Sequence, residues 1–289
     1  MAGPRPVEQW VTVRPGLRKK IGPDVRRGPW FQYDDAVGFE WNTYEVQLAN
    51  LPAELNGFRI VQLSDLHCQP HWQTAYDELT DRLKADPPDL IALTGDIVDY
   101  IRNPWKCLPT ARRLINLLTA KIAVIGIFGN HDIHVDPAAY KATRLQLIDG
   151  KRLLIQARGR EIELIAPPGM EREDYPRGFE KTLPEKQPGI PRIVLSHYPD
   201  HLRRMRCTNP DIFLSGHTHG GQACLPGGIA IQRHDSLPLH MFQCPHRLGK
   251  TWLFVSRGFG FSTLPFRMFC PAEVVEVRLG GNVQPKENI

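Results

Sequence analysis

Five short polar clusters recur along the sequence, and each directly follows a run of apolar residues. Every cluster contains Asp, His or Asn, whose side chains can bind divalent metal ions. In chain order the clusters are Ser64-Asp65-Leu66-His67, Gly95-Asp96, Gly129-Asn130-His131-Asp132, Ser196-His197 and Gly216-His217-Thr218-His219. Side chains just beyond the carboxyl ends of strands in an open α/β sheet converge on one crevice. We therefore expect the five clusters to meet at a single site.

Any one cluster alone is weak evidence, because a lone polar residue at a strand end is more often satisfied by hydrogen bonds than by a metal. Five clusters in this order would each need a separate structural reason, so we reject that interpretation. Imidazole suits Zn, Fe or Mn, carboxylate suits harder ions, and an amide oxygen can complete the shell. Asp65 and His67 are two apart on an extended segment, so both can bind one ion. His217 and His219 share that spacing, and the sequence leaves open whether they bind the same ion.

The order DxH, GD, GNHD, H and GHTH resembles the calcineurin-like metallophosphoesterase superfamily between residues 58 and 279. The segments Gly57-Phe58-Arg59-Ile60, Ser256-Arg257-Gly258-Phe259-Gly260 and Pro271-Ala272-Glu273 are similar to its bacterial membrane-associated phosphodiesterase branch, which includes UDP-2,3-diacylglucosamine pyrophosphatases. The resemblance implies an α/β fold in which a two-sheet β-sandwich is flanked by helices. It also implies hydrolysis of a phosphodiester or pyrophosphate bond in a lipid-linked or nucleotide substrate.

The resemblance further implies a role for each position of the motif. Two divalent ions, Mn, Zn or Fe, would be bound by Asp65, His67 and His219 on one side, by Asn130, His197 and His217 on the other, and by Asp96 bridging both. A hydroxide shared by the two ions would attack phosphorus. His131 would protonate the leaving oxygen, and Asp99 would orient His131, with Asp132 as the alternative.

Differences from other branches of the superfamily narrow the choice among them. Phe128 stands where protein Ser/Thr phosphatases have Arg, and Asp99 stands where purple acid phosphatases have a tyrosinate ligand. Two alternatives remain, a nuclease of the same superfamily and a metal-bound scaffold without turnover. A nuclease would need a long basic groove, whereas charge beyond residue 40 is dispersed, so nucleic acid is not an expected partner. Scaffold relatives usually lack a ligand or the leaving-group histidine, and this sequence keeps both.

Apolar runs alternate with amphipathic stretches from Tyr44 onwards, a pattern typical of an α/β layer fold. The predicted strands are 58–63, 90–93, 123–127, 193–195, 212–214, 252–255 and 274–279. The predicted helices are 72–85, 108–119 and 137–148. Residues 153–157 and 161–165 around Gly159 predict a hairpin, and residues 167–191 predict a surface loop.

With 289 residues, 42% of them apolar and 23% charged, the chain can bury one large core. We expect an irregular basic arm over residues 1–42 and a metallophosphoesterase domain over residues 43–289. The net charge of +5 indicates anionic partners. The six cysteines form no CxxC pair, and neither a membrane-spanning stretch nor a signal peptide is evident. The expected location is therefore the cytoplasm.

An apolar run over residues 259–269 carries one charged residue, Arg267, and many aromatic side chains. Packing in the core is the plainer interpretation. An exposed loop near the metal site would instead form an apolar patch that can enter a bilayer. The arm adds Trp30 and a set of basic residues that would attract anionic lipid, namely Arg18, Lys19, Lys20, Arg26 and Arg27, unless it packs on the domain. On this interpretation the protein binds the inner face of a membrane peripherally.

Overall fold

The computed structural model describes residues 11–12, 30–33, 38–99, 103–168, 178–231 and 235–281. The strands, numbered along the chain, are β1 Val11–Thr12, β2 Phe31–Tyr33, β3 Glu40–Leu48, β4 Arg59–Leu63, β5 Leu90–Thr94, β6 Ala123–Ile127, β7 Leu145–Leu147, β8 Lys151–Ala157, β9 Arg160–Ala166, β10 Arg192–Leu195, β11 Ile212–Ser215, β12 Cys224–Leu225, β13 Ile229–Ala230, β14 Cys244–Leu248, β15 Thr251–Val255, β16 Phe266–Met268 and β17 Glu273–Gly281. The α-helices are α1 Thr74–Ala85, α2 Pro104–Leu117 and α3 Leu202–Met205.

Two large sheets organise the chain. The six-stranded sheet has the order β3-β17-β4-β5-β6-β7, and the seven-stranded sheet has the order β1-β14-β15-β11-β10-β9-β8. Strands β4 to β7 run parallel to one another, and so do β9, β10, β11 and β15. Parallel neighbours end at the same edge of a sheet. The loops that follow β4, β5 and β6 therefore lie together, as do the loops that follow β10 and β11.

The inner strands are buried on both faces, which is why their sequences are almost entirely apolar. In β4, Ile60 packs in a cluster that contains residues of both large sheets, whereas Val61 and Leu63 pack in a cluster with α1 and α2. A third cluster joins the outer face of the seven-stranded sheet to Leu202 and Met205 of α3. These layers confirm the predicted two-sheet sandwich flanked by helices.

The predicted strands and the predicted hairpin are confirmed, with small shifts at their ends. The first predicted helix is confirmed as α1. The second begins four residues earlier than predicted, at Pro104 rather than 108. Its start has a clear cause, because the Asn103 side chain accepts a hydrogen bond from Trp105 N at 3.2 Å and proline is favoured at the first helical position.

The predicted helix over residues 137–148 is wrong. Only its first residues form a helical turn, the 3-10 helix Pro137–Tyr140, which Asp136 caps by accepting from Ala138 N at 2.8 Å. The chain then enters β7, which pairs with β6 in parallel, with Leu145 opposite Val124. Pairing with the edge of the sheet overrides the weak amphipathic pattern, since local propensity yields to tertiary contacts.

The apolar run over residues 259–269 divides between core and surface. Phe259 and Phe261 are buried in the cluster with α1 and α2, so the core interpretation is correct for these two. Leu264 is exposed, and Phe266 and Phe269 are partly exposed. Only the second half of the run can therefore contribute to an exposed patch.

Parts of the predicted arm take regular structure. Strand β1 pairs with β14, β2 pairs with β16, and β3 begins at Glu40, so the predicted boundary after residue 42 falls inside a strand. The five basic residues of the arm lie outside the described residues, as do residues 169–177 of the predicted loop. Among the helices that the structure describes, none has the length and apolar character needed to cross a bilayer.

Candidate metal centre

All seven predicted ligands lie in loops at the carboxyl ends of five strands, three from one sheet and two from the other. These loops carry Asp65 and His67 after β4, Asp96 after β5, Asn130 after β6, His197 after β10, and His217 and His219 after β11. The fold therefore brings the five clusters together, as the sequence predicts.

The backbone at these ligands is unusual. Five of them have positive φ values that L-residues rarely adopt, between 39° and 68°: Asp65, His67, Asp96, His217 and His219. Each such residue costs about 1–3 kcal/mol and persists only where the surroundings enforce it. Here the loops brace one another, with Asp65 N donating to Gly95 O and His67 N donating to Asp96 O, both at 3.0 Å. Backbone strain concentrated at one set of residues is typical of a functional site.

One group of ligand atoms forms around His67 and His219. Their Nε2 atoms are 3.0 Å apart, and His219 Nε2 lies 3.3 Å from Asp65 Oδ1. Asp96 Oδ2 lies 3.5 Å from His67 Nε2. These four side chains are all buried and offer their ligand atoms within 4.8 Å of one another.

A second group forms around Asn130. Its Oδ1 lies 3.1 Å from both His197 Nε2 and His217 Nδ1. The Oδ2 atom of Asp96, which contacts the first group, is also 3.3 Å from His197 Nε2. One carboxylate oxygen therefore lies between the two groups and within 3.5 Å of both.

The chemistry of these atoms fits divalent metal ions. Imidazole nitrogens, carboxylate oxygens and an amide oxygen face one another across about 3 Å, and this mixed set suits Zn, Mn or Fe. His197 Nδ1 is 2.9 Å from Thr94 O, a contact that holds the Nδ1–H tautomer and leaves Nε2 to bind a metal. Thr94 could not be identified from the sequence, because its backbone carbonyl makes the contact.

Ionisation states in the site follow from burial and neighbouring charges. Burial lowers the pKa of His67 to about 3, so this imidazole is neutral, as metal binding requires. Burial alone would raise the pKa of Asp65 and Asp96, but His219 acting on Asp65 and His197 acting on Asp96 hold both carboxyls below their usual range. Burial would also lower the pKa of His197, yet Asp96 raises it to about 9. A metal ion would displace that proton.

Two glycines of the motif lie where a side chain would collide with neighbouring atoms. A Cβ atom at Gly129 would lie 2.2 Å from Asp96 Oδ1, and one at Gly216 would lie 1.9 Å from Ser64 Oγ. Real Cβ contacts are never this short. Glycine at these positions therefore allows the ligand loops to approach one another.

His131 lies at the edge of the first group. Its ring meets that of His67 edge to face with centroids 4.5 Å apart, and its Nδ1 is 3.4 Å from Asp99 Oδ1. Burial lowers the pKa of His131, but the hydrogen bond to Asp99 and the charge of Asp96 outweigh it and raise the pKa. Asp132, the alternative partner, instead accepts hydrogen bonds from the backbone of Ile97, Val98 and Gly129. The geometry thus pairs His131 with Asp99.

A buried arginine behind the site did not emerge from the sequence as a functional residue. Arg267 is 1% exposed, donates through Nε to Gly260 O at 2.9 Å, and has Nη2 3.4 Å from His219 Nδ1. A single charge within an apolar run was the available signal. Cys68, which follows His67 in the chain, is buried, and burial raises the pKa of its thiol to about 12.

Comparison with known families agrees with this geometry. The family described as calcineurin-like phosphoesterase matches residues 58–221, more than half of the 289-residue chain. The chain belongs to this family. The resemblance inferred from the five motifs is therefore confirmed.

Several relatives share most of the chain's length. The uncharacterized metallophosphoesterase YkuE of Bacillus subtilis is 30% identical over 250 residues, covering 81% of this chain and 83% of that protein. The UDP-2,3-diacylglucosamine pyrophosphatase LpxG of Chlamydia muridarum is 24% identical, covering 78% and 84%. A transmembrane protein with a metallophosphoesterase domain from Bos taurus is 27% identical, and the match spans 56% of its length. Among solved structures, the NAD nucleotidase of Haemophilus influenzae superposes with a TM-score of 0.47 at 12% identity, covering 70% of this chain and 45% of that chain.

Proposed function

We propose that this phosphoesterase uses two divalent ions to hydrolyse a phosphodiester or pyrophosphate bond in a lipid-linked or nucleotide-linked substrate. The observation that carries the proposal is Asp96, whose Oδ2 lies 3.5 Å from His67 Nε2 and 3.3 Å from His197 Nε2. A single ion would leave one of these two histidine groups without a function. Two ions at this site would activate a water molecule and neutralise charge on the phosphate oxygens.

The protein's own side chains supply the proton that the leaving oxygen needs. His131 borders the first group of ligands, and Asp99 holds its Nδ1 side at 3.4 Å. This contact on Nδ1 would orient the ring for proton donation from Nε2. The raised pKa of His131 increases the fraction of imidazolium, the form that can donate a proton. A positioned acid of this kind contributes about 10²–10⁴ in rate.

The bond class is inferred from both the site and a relative. A relative at 24% identity is named as a UDP-2,3-diacylglucosamine pyrophosphatase, which supports a pyrophosphate linked to lipid and nucleotide as the substrate class. The alternatives predict other activities, since a nuclease would cleave DNA or RNA and a scaffold would bind metal without turnover. We also propose a cytoplasmic location, supported by five cysteines that are free thiols among the described residues.

The test is a substrate panel with the purified full chain. Bis-p-nitrophenyl phosphate, p-nitrophenyl phosphate, cyclic nucleotides, oligonucleotides and UDP-linked lipids would each be offered with Mn, Zn or Fe. We expect metal-dependent turnover of diesters or pyrophosphates that Asp96→Asn abolishes. Asp86→Asn is the matched control, because this carboxyl is 72% exposed and lies outside the site. Full metal content without turnover of any substrate would support the scaffold instead, and preferred cleavage of oligonucleotides would support the nuclease.

A further inference from the structure

The small sheet formed by β2 and β16 has inverted polarity. Its inward face carries Gln32 and Arg267, which lie opposite each other and are both buried. Its outward face carries apolar side chains, with Phe266 opposite Tyr33 and Met268 opposite Phe31. A sheet that meets water on one side normally places its polar residues on that side. The outward face is therefore suited to an apolar environment.

The inward polar residues are held by specific contacts, so the inversion is part of the fold. Gln32 Nε2 donates to Gly38 O at 2.6 Å, and Gln32 Oε1 accepts from Ala272 N at 3.3 Å. Arg267 donates to Gly260 O at 2.9 Å. Rotating the sheet to expose its polar face would break these bonds and would move both side chains out of the fold.

Further apolar side chains extend this face. Trp30 is 66% exposed, and its ring lies 5.6 Å from that of Phe269. The neighbouring hairpin of β12 and β13 buries Cys224 and Ala230 and exposes Leu225 and Ile229. An isolated bridge between Ala223 and Met268 joins the hairpin to β16. We define the apolar face as the outward side chains of both small sheets with their neighbours: Trp30, Phe31, Tyr33, Leu225, Ile229, Ile231, Leu264, Phe266, Met268 and Phe269.

The apolar face is connected to the metal centre. The chain runs from His219 through Gln222 directly into β12. The Gln222 side chain donates to Ser262 O and Leu264 O, both at 2.9 Å, which joins the ligand loop to the segment before β16. Arg267, on the inner side of the same strand, lies 3.4 Å from His219 Nδ1. Whatever covers the apolar face is thus held close to the site of hydrolysis.

We propose that the apolar face docks on an anionic lipid bilayer and presents the metal centre to an amphiphilic substrate there, an inference that rests on the proposed function. Charge supports a bilayer, because the sequence just before Trp30 contains Arg14, Arg18, Lys19, Lys20, Arg26 and Arg27 against one acidic residue, Asp24. Such clusters are attracted to anionic headgroups whatever their conformation. Trp and Tyr, the most exposed rings of the face, favour the boundary between headgroups and acyl chains.

Vesicle flotation of the full chain tests the proposal directly. We expect the wild type to float with vesicles of phosphatidylglycerol and phosphatidylcholine, and to bind them less in about 0.5 M salt, where surface charges are screened. The double variant Tyr33→Asp, Ile229→Asp should bind at least about tenfold more weakly. Each change removes apolar area that the bilayer would cover, and it adds a negative charge that the anionic headgroups repel. Tyr33→Ser, Ile229→Ser should show the same loss in a milder form.

The matched control is Ile122→Asp, Leu154→Asp, which changes two exposed apolar residues away from the apolar face and should float like the wild type. Hydrolysis of bis-p-nitrophenyl phosphate should be unchanged in all three variants. A wild type that stays in the soluble fraction, or equal flotation of all variants, would overturn the proposal. So would a wild-type dimer in gel filtration that the Tyr33→Asp, Ile229→Asp change dissociates without any vesicle binding. Flotation without hydrolysis would instead remove the proposed function and leave the docking surface.

Discussion

Replacement of Asp149 by Asn is expected to stabilise the folded protein at neutral pH. Asp149 follows β7 and accepts a hydrogen bond from Phe128 N at 3.0 Å. Burial raises the pKa of its carboxyl from 3.8 to about 6, and the hydrogen bond from Phe128 opposes this only in part. The folded chain therefore retains the proton to a higher pH than the unfolded chain does. Ionised Asp149 then disfavours the folded state.

The size and sign of the effect follow from the two pKa values. Their difference, 6 minus 3.8, is 2.2, which corresponds to about 3 kcal/mol of unfolding free energy. The side chain is partly accessible to water, and solvent screening reduces the effect. The value of about 3 kcal/mol is therefore an upper limit, and the expected range is about 1–3 kcal/mol. The penalty is absent below pH 3.8, grows as the pH rises towards 6, and is fully present above that value.

Urea unfolding with a chelator present, so that metal binding does not contribute, measures this difference. Asp149→Asn should be about 1–3 kcal/mol more stable than the wild type at pH 7.5 and equally stable near pH 4. Asp149→Ala is the control, because it also removes the carboxylate but leaves Phe128 N without its acceptor, so it should gain less. A stability gap that is the same at both pH values, or a less stable Asn variant at pH 7.5, would refute the reasoning.

Three further predictions concern the metal centre. Asp96→Ala should abolish hydrolysis and deplete both ions, since its Oδ2 serves both ligand groups, and near-normal metal content by elemental analysis would contradict this role. His131→Ala should keep both ions yet slow turnover by about 10²–10⁴ for poor leaving groups and by less for p-nitrophenolate; equal losses for the two would exclude it as the acid. Gly129→Ala should lose metal and activity together, because its Cβ would lie 2.2 Å from Asp96 Oδ1, and a fully loaded, active variant would show that the loop can move aside.

The metal centre could be anticipated from the sequence because its residues lie next to strongly patterned strands. Buried parallel strands such as β4 and β5 are short apolar runs, and the polar residue after each run is placed by the end of the strand. Which nitrogen of a histidine faces the site depends on contacts such as Thr94 O with His197, made between residues far apart in the chain. No local pattern reports such a contact.

Failures of sequence reasoning share a similar cause. Strand β7 was expected to be helical because the three residues Leu145–Leu147 contain too few alternations to reveal a strand, and its pairing with β6 decides its structure. Only part of the apolar face could be predicted from the sequence. Residues 259–269 form one apolar run in the sequence, although Phe259 is buried in the core and Leu264 is exposed. The inverted polarity of β2 and β16 needs the register of two segments distant in sequence.

Ligands drawn from both large sheets have a consequence for how the chain folds. Asp65 and Asp96 follow strands of the six-stranded sheet, whereas His197 and His217 follow strands of the seven-stranded sheet. Neither half of the sandwich can build the complete centre by itself, so high-affinity coordination must await docking of the two halves. Metal bound by residues of both sheets would link the two halves and would stabilise only the docked form. The concentration of available metal would then affect how long the chain stays folded as well as how fast it hydrolyses substrate.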